Sequence, residues 1–238
     1  GVAGERRVAD DGWAYSLENF RLWYAQEWTE RWKSAKRLVA TTTPPHGLVF
    51  SRIEPALANQ ALQEIRAILA AAGELEIGWS SRNASYNDDS GTLTTTTNAE
   101  SLDEFPRVKA LLVAVMGSLG GSRLSEPRLN VICRMYSLDH NGGIPMHSDK
   151  KDWFDEDVYG CVLANTSDRV LEYHEISDAA SQAIRCFTAD EQVGICCLQR
   201  GQARYAWKHG IPPLTRGERV SVSWRWFKPE VTLAPRAA

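Results

Sequence analysis

The chain has 238 residues, of which 43% are hydrophobic and 24% are charged, and its formal net charge is −3. This length and composition predict one large soluble domain with a substantial core. They exclude a strongly basic nucleic-acid binder, although a local basic groove is compatible with a mildly acidic whole. No apolar run approaches the roughly 20 residues that cross a bilayer, and the N-terminus lacks the features of a signal peptide, so we expect no membrane partner.

Aromatic residues crowd residues 13–38, and four of them approximate helical spacing: Phe20, Trp23, Trp28 and Trp32. We predict an amphipathic helix that docks on the body of the protein. Two prolines in residues 44–45 mark a connection. We therefore predict a helical extension over residues 1–45 and a main domain over residues 46–238.

Two further helices are expected, because proline suits the first helical turn and glycine the end of a helix. One begins near Pro55 and closes at Gly73, and the other begins near Pro106 and stops at Gly120. Their predicted inward residues are apolar at helical spacing: Leu57, Ala61, Ile65 and Leu69, then Val108, Leu112, Val115 and Leu119. The polar residues 80–103 between the two helices are typical of a solvent-facing hairpin.

After Ser125 the pattern changes to short apolar or alternating runs separated by turns. The predicted strands are residues 129–136, 158–164, 170–174, 192–198, 203–207 and 219–227. Helices followed by many short strands predict an α+β domain whose strands form a sandwich or barrel. A double-sheet jelly roll is one architecture that accommodates this order.

Five cysteines follow no metal-finger spacing: Cys133, Cys161, Cys186, Cys196 and Cys197. The last two lie in the apolar run of residues 193–198, where small buried thiols are common. This usage predicts a reducing compartment, cytoplasmic or nuclear, without a disulfide framework. The first residue is Gly1 rather than methionine, which leaves room for a removed targeting segment.

Two histidines stand in informative contexts. His147 and Asp149 form an H-x-D triplet after a Gly/Pro turn, and His209 follows further along the chain. On a strand, residues two apart point to the same face, so the imidazole and the carboxylate can converge on one ion. Two histidines and one carboxylate leave coordination positions open, as non-haem Fe(II) requires, whereas a structural zinc site closes its shell. By itself an H-x-D triplet is usually incidental.

Arg219 and Arg225 lie six residues apart in a predicted strand, so their guanidiniums share one face. Buried arginines are costly unless they meet anions. A dicarboxylic acid such as 2-oxoglutarate offers a distal carboxylate suited to bidentate capture by arginine. The alternative is an exposed strand face with two solvated arginines.

These motifs resemble the AlkB-type branch of the 2-oxoglutarate-dependent oxygenases: His147-x-Asp149, His209-Gly-Ile and Arg219-x5-Arg225. Tyr136 precedes the triplet at about the distance of the family's cosubstrate-binding tyrosine. Trp79, with Tyr86 seven residues later, resembles the family's nucleotide-recognition lid. The similarity covers roughly residues 77–227.

The resemblance implies a double-stranded β-helix, or jelly roll, with supporting N-terminal helices. It also implies that Fe(II) is held by the triad of His147, Asp149 and His209. Arg219 and Tyr136 would then hold the distal carboxylate of 2-oxoglutarate, and Arg225 would lie near Asp149 and the metal-binding end of the cosubstrate. O2 is the remaining co-reactant.

The sequence departs from the family two residues before Tyr136, where Arg134 replaces the usual asparagine. Arg134 could contact 2-oxoglutarate, or it could pair with an acidic substrate or with Asp139. Trp79 could stack on a base, or it could be a core tryptophan under a loop. His174 has no partner at ligand spacing and is interpreted as an ordinary polar residue.

The resemblance implies a dioxygenase that hydroxylates N-alkyl groups of nucleic-acid bases, after which the hydroxymethyl product loses formaldehyde. Alkylated DNA or RNA would be its partner. One alternative is the same chemistry on a protein side chain or a small molecule. Another is a non-catalytic binding module, against which the retained triad and both arginines argue.

Overall fold

The computed structural model describes residues 4–79, 96–99, 101–121, 124–140, 142–177 and 180–231. The helices in these ranges are α1 (Leu17–Tyr24), α2 (Trp28–Ser34), α3 (Pro55–Ala72), α4 (Pro106–Ser118) and α5 (Gln202–Tyr205). The strands are β1 (Arg6–Val8), β2 (Ala14–Ser16), β3 (Arg37–Ala40), β4 (Leu48–Arg52), β5 (Glu74–Gly78), β6 (Thr96–Ala99), β7 (Leu129–Tyr136), β8 (Ile144–His147), β9 (Val158–Asn165), β10 (Glu172–Glu175), β11 (Ala183–Thr188), β12 (Ile195–Gln199), β13 (Trp207–Ile211) and β14 (Arg219–Trp226).

The strands form two seven-stranded sheets. Sheet 1 has the order β2-β1-β3-β11-β10-β13-β8, and sheet 2 has the order β4-β12-β9-β14-β7-β5-β6. A hydrogen bond of 2.6 Å from Gln199 of sheet 2 to the hydroxyl of Tyr173 in sheet 1 connects their inner faces. Two sheets with preceding helices confirm the predicted α+β jelly roll.

Sheet 2 is apolar on one face and polar on the other. Side chains alternate along a strand, so Val220, Val222 and Trp224 of β14 enter the main core while Arg219 and Arg225 point away from it. Helices α3 and α4 cover the apolar face and contribute their own buried residues to the same core. The polar face of sheet 2 is therefore the one that meets sheet 1.

Helices α3 and α4 begin at Pro55 and Pro106, as predicted. Gly73 ends α3 in the left-handed region, at φ 76°, and donates its N–H to the Leu69 carbonyl. Glycine enters this region without steric cost, which explains its place at the helix end.

The prediction of one N-terminal helix is wrong. The chain breaks between α1 and α2, where Ala25 has a φ of 43°, and the buried members of the aromatic set are Phe20 and Trp32, while Trp23 is 72% exposed. Strand β3 pairs in parallel with β11, so the three N-terminal strands β1, β2 and β3 extend sheet 1. The division at residue 45 stays a prediction.

The predicted strand over residues 203–207 is also wrong. Its first part is the one-turn helix α5, which begins after Gly201, and extended structure starts only at Trp207. The N–H groups of Arg204 and Tyr205 both donate to the Gly201 carbonyl, so the local turn replaces the sheet ladder. The predicted hairpin over residues 80–103 lies mostly outside the described residues. Within this segment, residues 96–99 form β6, which pairs in parallel with β5.

All five cysteines are free thiols. Among the described residues, no helix combines the length and the apolar character that a membrane span requires.

Leu112→Ala should lower the free energy of unfolding by about 2–5 kcal/mol, because it leaves a cavity in the core beneath α4. Leu112 is fully buried, whereas its neighbour Val113 is 53% exposed. Val113→Ala is the matched control and should change that free energy by about 0.5 kcal/mol or less. Urea denaturation would measure both, and equal losses would contradict the placement of α4.

Candidate active site

The structure places His209 beside both of the other predicted metal ligands. His147 ends β8 and lies directly opposite His209 of β13 in the antiparallel pairing, and the centroids of the two rings are 4.4 Å apart. Asp149 follows β8 by two residues, and its Oδ2 lies 3.7 Å from His209 Nε2. His209 therefore neighbours both His147 and Asp149 at the β8 edge of sheet 1.

The charges around Asp149 favour its ionised form. Burial by itself would raise the pKa of this carboxyl, but Arg225, followed by the two histidines, lowers the pKa to about 2. Arg225 Nη1 lies 3.6 Å from Asp149 Oδ1. A carboxylate must be deprotonated to bind a metal, so Asp149 is ready to act as a ligand at neutral pH.

The histidines offer ring nitrogens to a metal ion. Burial, and then the neighbouring His147, lower the pKa of His209 to about 3. His147 Nδ1 is 2.7 Å from the Pro145 carbonyl oxygen. Because a carbonyl can only accept, Nδ1 donates to it, which leaves Nε2 as the nitrogen that would bind an ion. Two imidazoles and one carboxylate fit Fe(II) in the facial arrangement.

Gly210 permits the close approach of β8 and β13 beside the two histidines. A Cβ atom at this position would lie 2.7 Å from both the Ile144 carbonyl oxygen and the Met146 sulfur. Any larger residue would therefore push the two strands apart at the triad. Sequence reasoning included this glycine in the His-Gly-Ile motif without identifying its role.

The two predicted arginines lie on the same face of β14. Arg219 is directly opposite Tyr136 of β7, and Arg225 is opposite Asn130. The Arg219 guanidinium lies 5.4 Å from the Tyr136 ring centroid. Arg219 and Tyr136 are thus neighbours, as the resemblance implied, and both are buried.

Arg219 already holds a carboxylate from the protein itself. Its Nε and Nη2 donate to the two oxygens of Glu191 at 2.6 Å and 2.5 Å, and its Nη1 donates to Ser221 at 2.7 Å. As this site stands, it does not fit the distal carboxylate of 2-oxoglutarate. Glu191 was missed because it lies in a polar turn before β12 with no spacing that relates it to β14.

Arg134 pairs with Glu74, which lies directly opposite it on β5, rather than with Asp139. Burial by itself would lower the pKa of Arg134, but Tyr136 and Glu74 raise it. The replacement of the family asparagine therefore comes with its own buried counter-charge. Contact of Arg134 with a substrate stays a prediction.

Trp79 directly follows β5 and lies close to the strand position of Arg225, the residue beside Asp149. Its carbonyl oxygen accepts a hydrogen bond of 2.6 Å from Asn130, the residue opposite Arg225. Its side chain is 41% exposed, so the interpretation as a core tryptophan is wrong. Tyr86 lies outside the described residues.

A buried arginine near the triad was also missed. Arg204 of α5 is 2% exposed and donates to the Phe154 carbonyl at 3.2 Å, while its Nε and Nη1 have no hydrogen-bond partner. It contributes to the low pKa of Asp149. Sequence reasoning missed it because it treated this segment as a strand.

A second group of metal-binding residue types lies on sheet 1. The ligand atoms of Glu172, His174 and Cys186 are all within 4.8 Å of one another and all three residues are buried. The interpretation of His174 as a residue without a partner at ligand spacing is therefore wrong, because Cys186 lies directly across from it on β11. Glu172 is also bound by Arg6 at 3.2 Å and by His174 at 2.9 Å, which places it in a buried ionic network.

No protein-family model matches the chain, and no curated protein matches it at a significant level. Solved structures that match include a prolyl-4-hydroxylase from Pseudomonas putida. That match has a TM-score of 0.44 and 13% identity, and it covers 77% of this chain and 94% of the hydroxylase chain. Similarity at this level carries no argument about activity, so the function rests on the site itself.

Gly210→Ala should weaken metal binding by about tenfold or more, the scale seen when the support of a metal ligand is disturbed. The added methyl would displace β8 from β13 and misalign His147 with His209. Gly117→Ala is the control, because its Cβ would meet nothing within 4 Å. Titration with Co(II), followed by its visible absorption, would measure both, and equal affinities would contradict the steric role of Gly210.

Proposed function

We propose that this chain is an Fe(II)- and 2-oxoglutarate-dependent dioxygenase that removes alkyl groups from N-alkylated bases in DNA or RNA. The reaction would consume O2 and 2-oxoglutarate and yield succinate, CO2, formaldehyde and the unmodified base. The observation that carries the proposal is that His209 lies beside both His147 and Asp149.

The residues around the triad suit such a centre. Arg225 keeps Asp149 ionised, and the Pro145 carbonyl fixes the orientation of the His147 ring. Bound Fe(II) would supply the oxidising chemistry of this enzyme class. Two imidazoles and a carboxylate on one side leave the other coordination positions for co-reactants.

Support for a nucleic-acid substrate comes from Trp79. An exposed tryptophan at the edge of a site offers a stacking surface, which contributes about 1–3 kcal/mol per base. Asn130, which lies opposite Arg225 in the sheet, donates a hydrogen bond to the Trp79 carbonyl. The substrate class rests on this residue and on the resemblance to AlkB-type oxygenases.

His147→Ala and Asp149→Asn should each abolish succinate formation and weaken Fe(II) binding by more than about 100-fold, since a lost ligand costs more than a lost supporting residue. Circular dichroism should show that both variants stay folded, because neither residue belongs to the apolar core. His46→Ala is the control, because this histidine is exposed and lies outside the triad. Retained metal binding in both variants would refute the ligand assignment.

The substrate class can be tested with protein loaded anaerobically with Fe(II) and then given 2-oxoglutarate and O2. Succinate and formaldehyde that rise together with one methylated oligonucleotide would establish the proposed reaction. Trp79→Ala should then raise the KM for that oligonucleotide by about tenfold, the equivalent of one lost stacking contact. Succinate formation that no oligonucleotide stimulates would instead indicate a protein or small-molecule substrate.

A further inference from the structure

The ion pair between Glu191 and Arg219 occupies the place that the proposed cosubstrate needs. Both side chains are buried, with exposed fractions of 2% and 4%. The contact is bidentate, which is the geometry that arginine uses to hold any carboxylate. Glu191 therefore offers Arg219 the same chemical group, in the same mode, as the distal end of 2-oxoglutarate would.

Two arginines of this face already have buried counter-charges. Arg219 is paired with Glu191, and Arg134 is paired with Glu74. A dicarboxylate bound beside these pairs would bury a negative charge without a counter-charge, and a buried unpaired charge is strongly unfavourable. Burial by itself would lower the pKa of Arg219, but the Glu191 carboxylate raises it.

Arg219 is held more firmly than Glu191. It lies on the central strand β14, between β7 and β9, with its guanidinium near the Tyr136 ring and bonded to Ser221. Glu191 lies in the connection between β11 and β12, outside the sheet ladders. A competing carboxylate would consequently displace Glu191 and leave Arg219 in place.

Packing connects the segment of Glu191 with the strands of the triad. Ala189, two residues before Glu191, belongs to the same buried cluster as Tyr173 of β10. The Tyr173 ring centroid is 6.0 Å from that of His209. The segment of Glu191 and the candidate metal site therefore lie beside the same buried cluster.

We propose that Glu191 is an internal competitor for the cosubstrate, so that 2-oxoglutarate binds only by displacing the Glu191 carboxylate from Arg219. Glu191 thereby sets the affinity for 2-oxo acids that carry a distal carboxylate. This inference rests on the proposed function, since it concerns the cosubstrate of the same site.

The test measures binding of 2-oxoglutarate to the Co(II)-loaded protein by anaerobic calorimetry. Glu191→Gln keeps the shape of the side chain and removes its charge, so 2-oxoglutarate should bind at least about tenfold more tightly, the scale of one charged hydrogen bond. Binding of 2-oxobutyrate, which lacks the distal carboxylate, should not change. Glu175→Gln is the control, because it removes an ion-paired carboxylate on sheet 1 that belongs to neither group of metal-binding residue types, and it should leave both affinities as they are.

Unchanged or weaker binding of 2-oxoglutarate to Glu191→Gln would overturn the proposal, and weaker binding would make Glu191 a residue that positions Arg219. Glu191→Asp, which keeps the charge on a shorter side chain, provides a second measurement if the glutamine variant is unstable. It should also bind 2-oxoglutarate more tightly than the wild type, and weaker binding would again overturn the proposal. Failure of every variant to bind 2-oxoglutarate while Co(II) binds normally would refute the proposed cosubstrate together with this role for Glu191.

Discussion

The alternation of side chains along β14 divides the molecule into an apolar layer and a polar layer. Val220, Val222 and Trp224 are completely buried in the core beneath α3 and α4, where Trp224 stacks on Tyr159 of the adjacent strand at 5.3 Å. Burial of this face anchors the strand by the hydrophobic effect. The intervening residues are then fixed on the opposite face, where Arg219 and Arg225 find their partners.

The polar layer is stabilised by paired charges. Arg219 meets Glu191, Arg134 meets Glu74, and Arg225 lies beside Asp149. Removal of one member of such a pair leaves an uncompensated buried charge, so these residues depend on one another. Asp149 has two roles in this layer, because it balances Arg225 and also belongs to the candidate metal triad. The same interdependence gives Glu191 its influence over any anion that enters.

One strand pair of sheet 1 positions the two histidines of the candidate metal site. The register of β8 and β13 places His147 opposite His209, and Gly210 lets the two strands approach. On the same sheet, Tyr173 faces His209 while its neighbours Glu172 and His174 turn to the other face. A single sheet thus separates the candidate iron site from a buried ionic network.

Residue types and spacing by themselves determined the features that depend on local periodicity or on a short motif. These were α3 and α4 with their glycine and proline boundaries, the strands β7 and β14, and the shared face of Arg219 and Arg225. The candidate triad was also proposed in this way, although the H-x-D spacing does not predict that His209 lies directly opposite His147. Only the tertiary structure decided which polar side chains meet: Glu191 with Arg219, Glu74 with Arg134, and Cys186 with His174. These pairs join segments that no short motif relates, and their partners are selected by sheet register and burial, which no local pattern encodes. Apparent periodicity also failed at residues 203–207 and in the N-terminal segment. The chain turns at Gly201 and at Ala25, and packing overrides the propensity of the residues that follow.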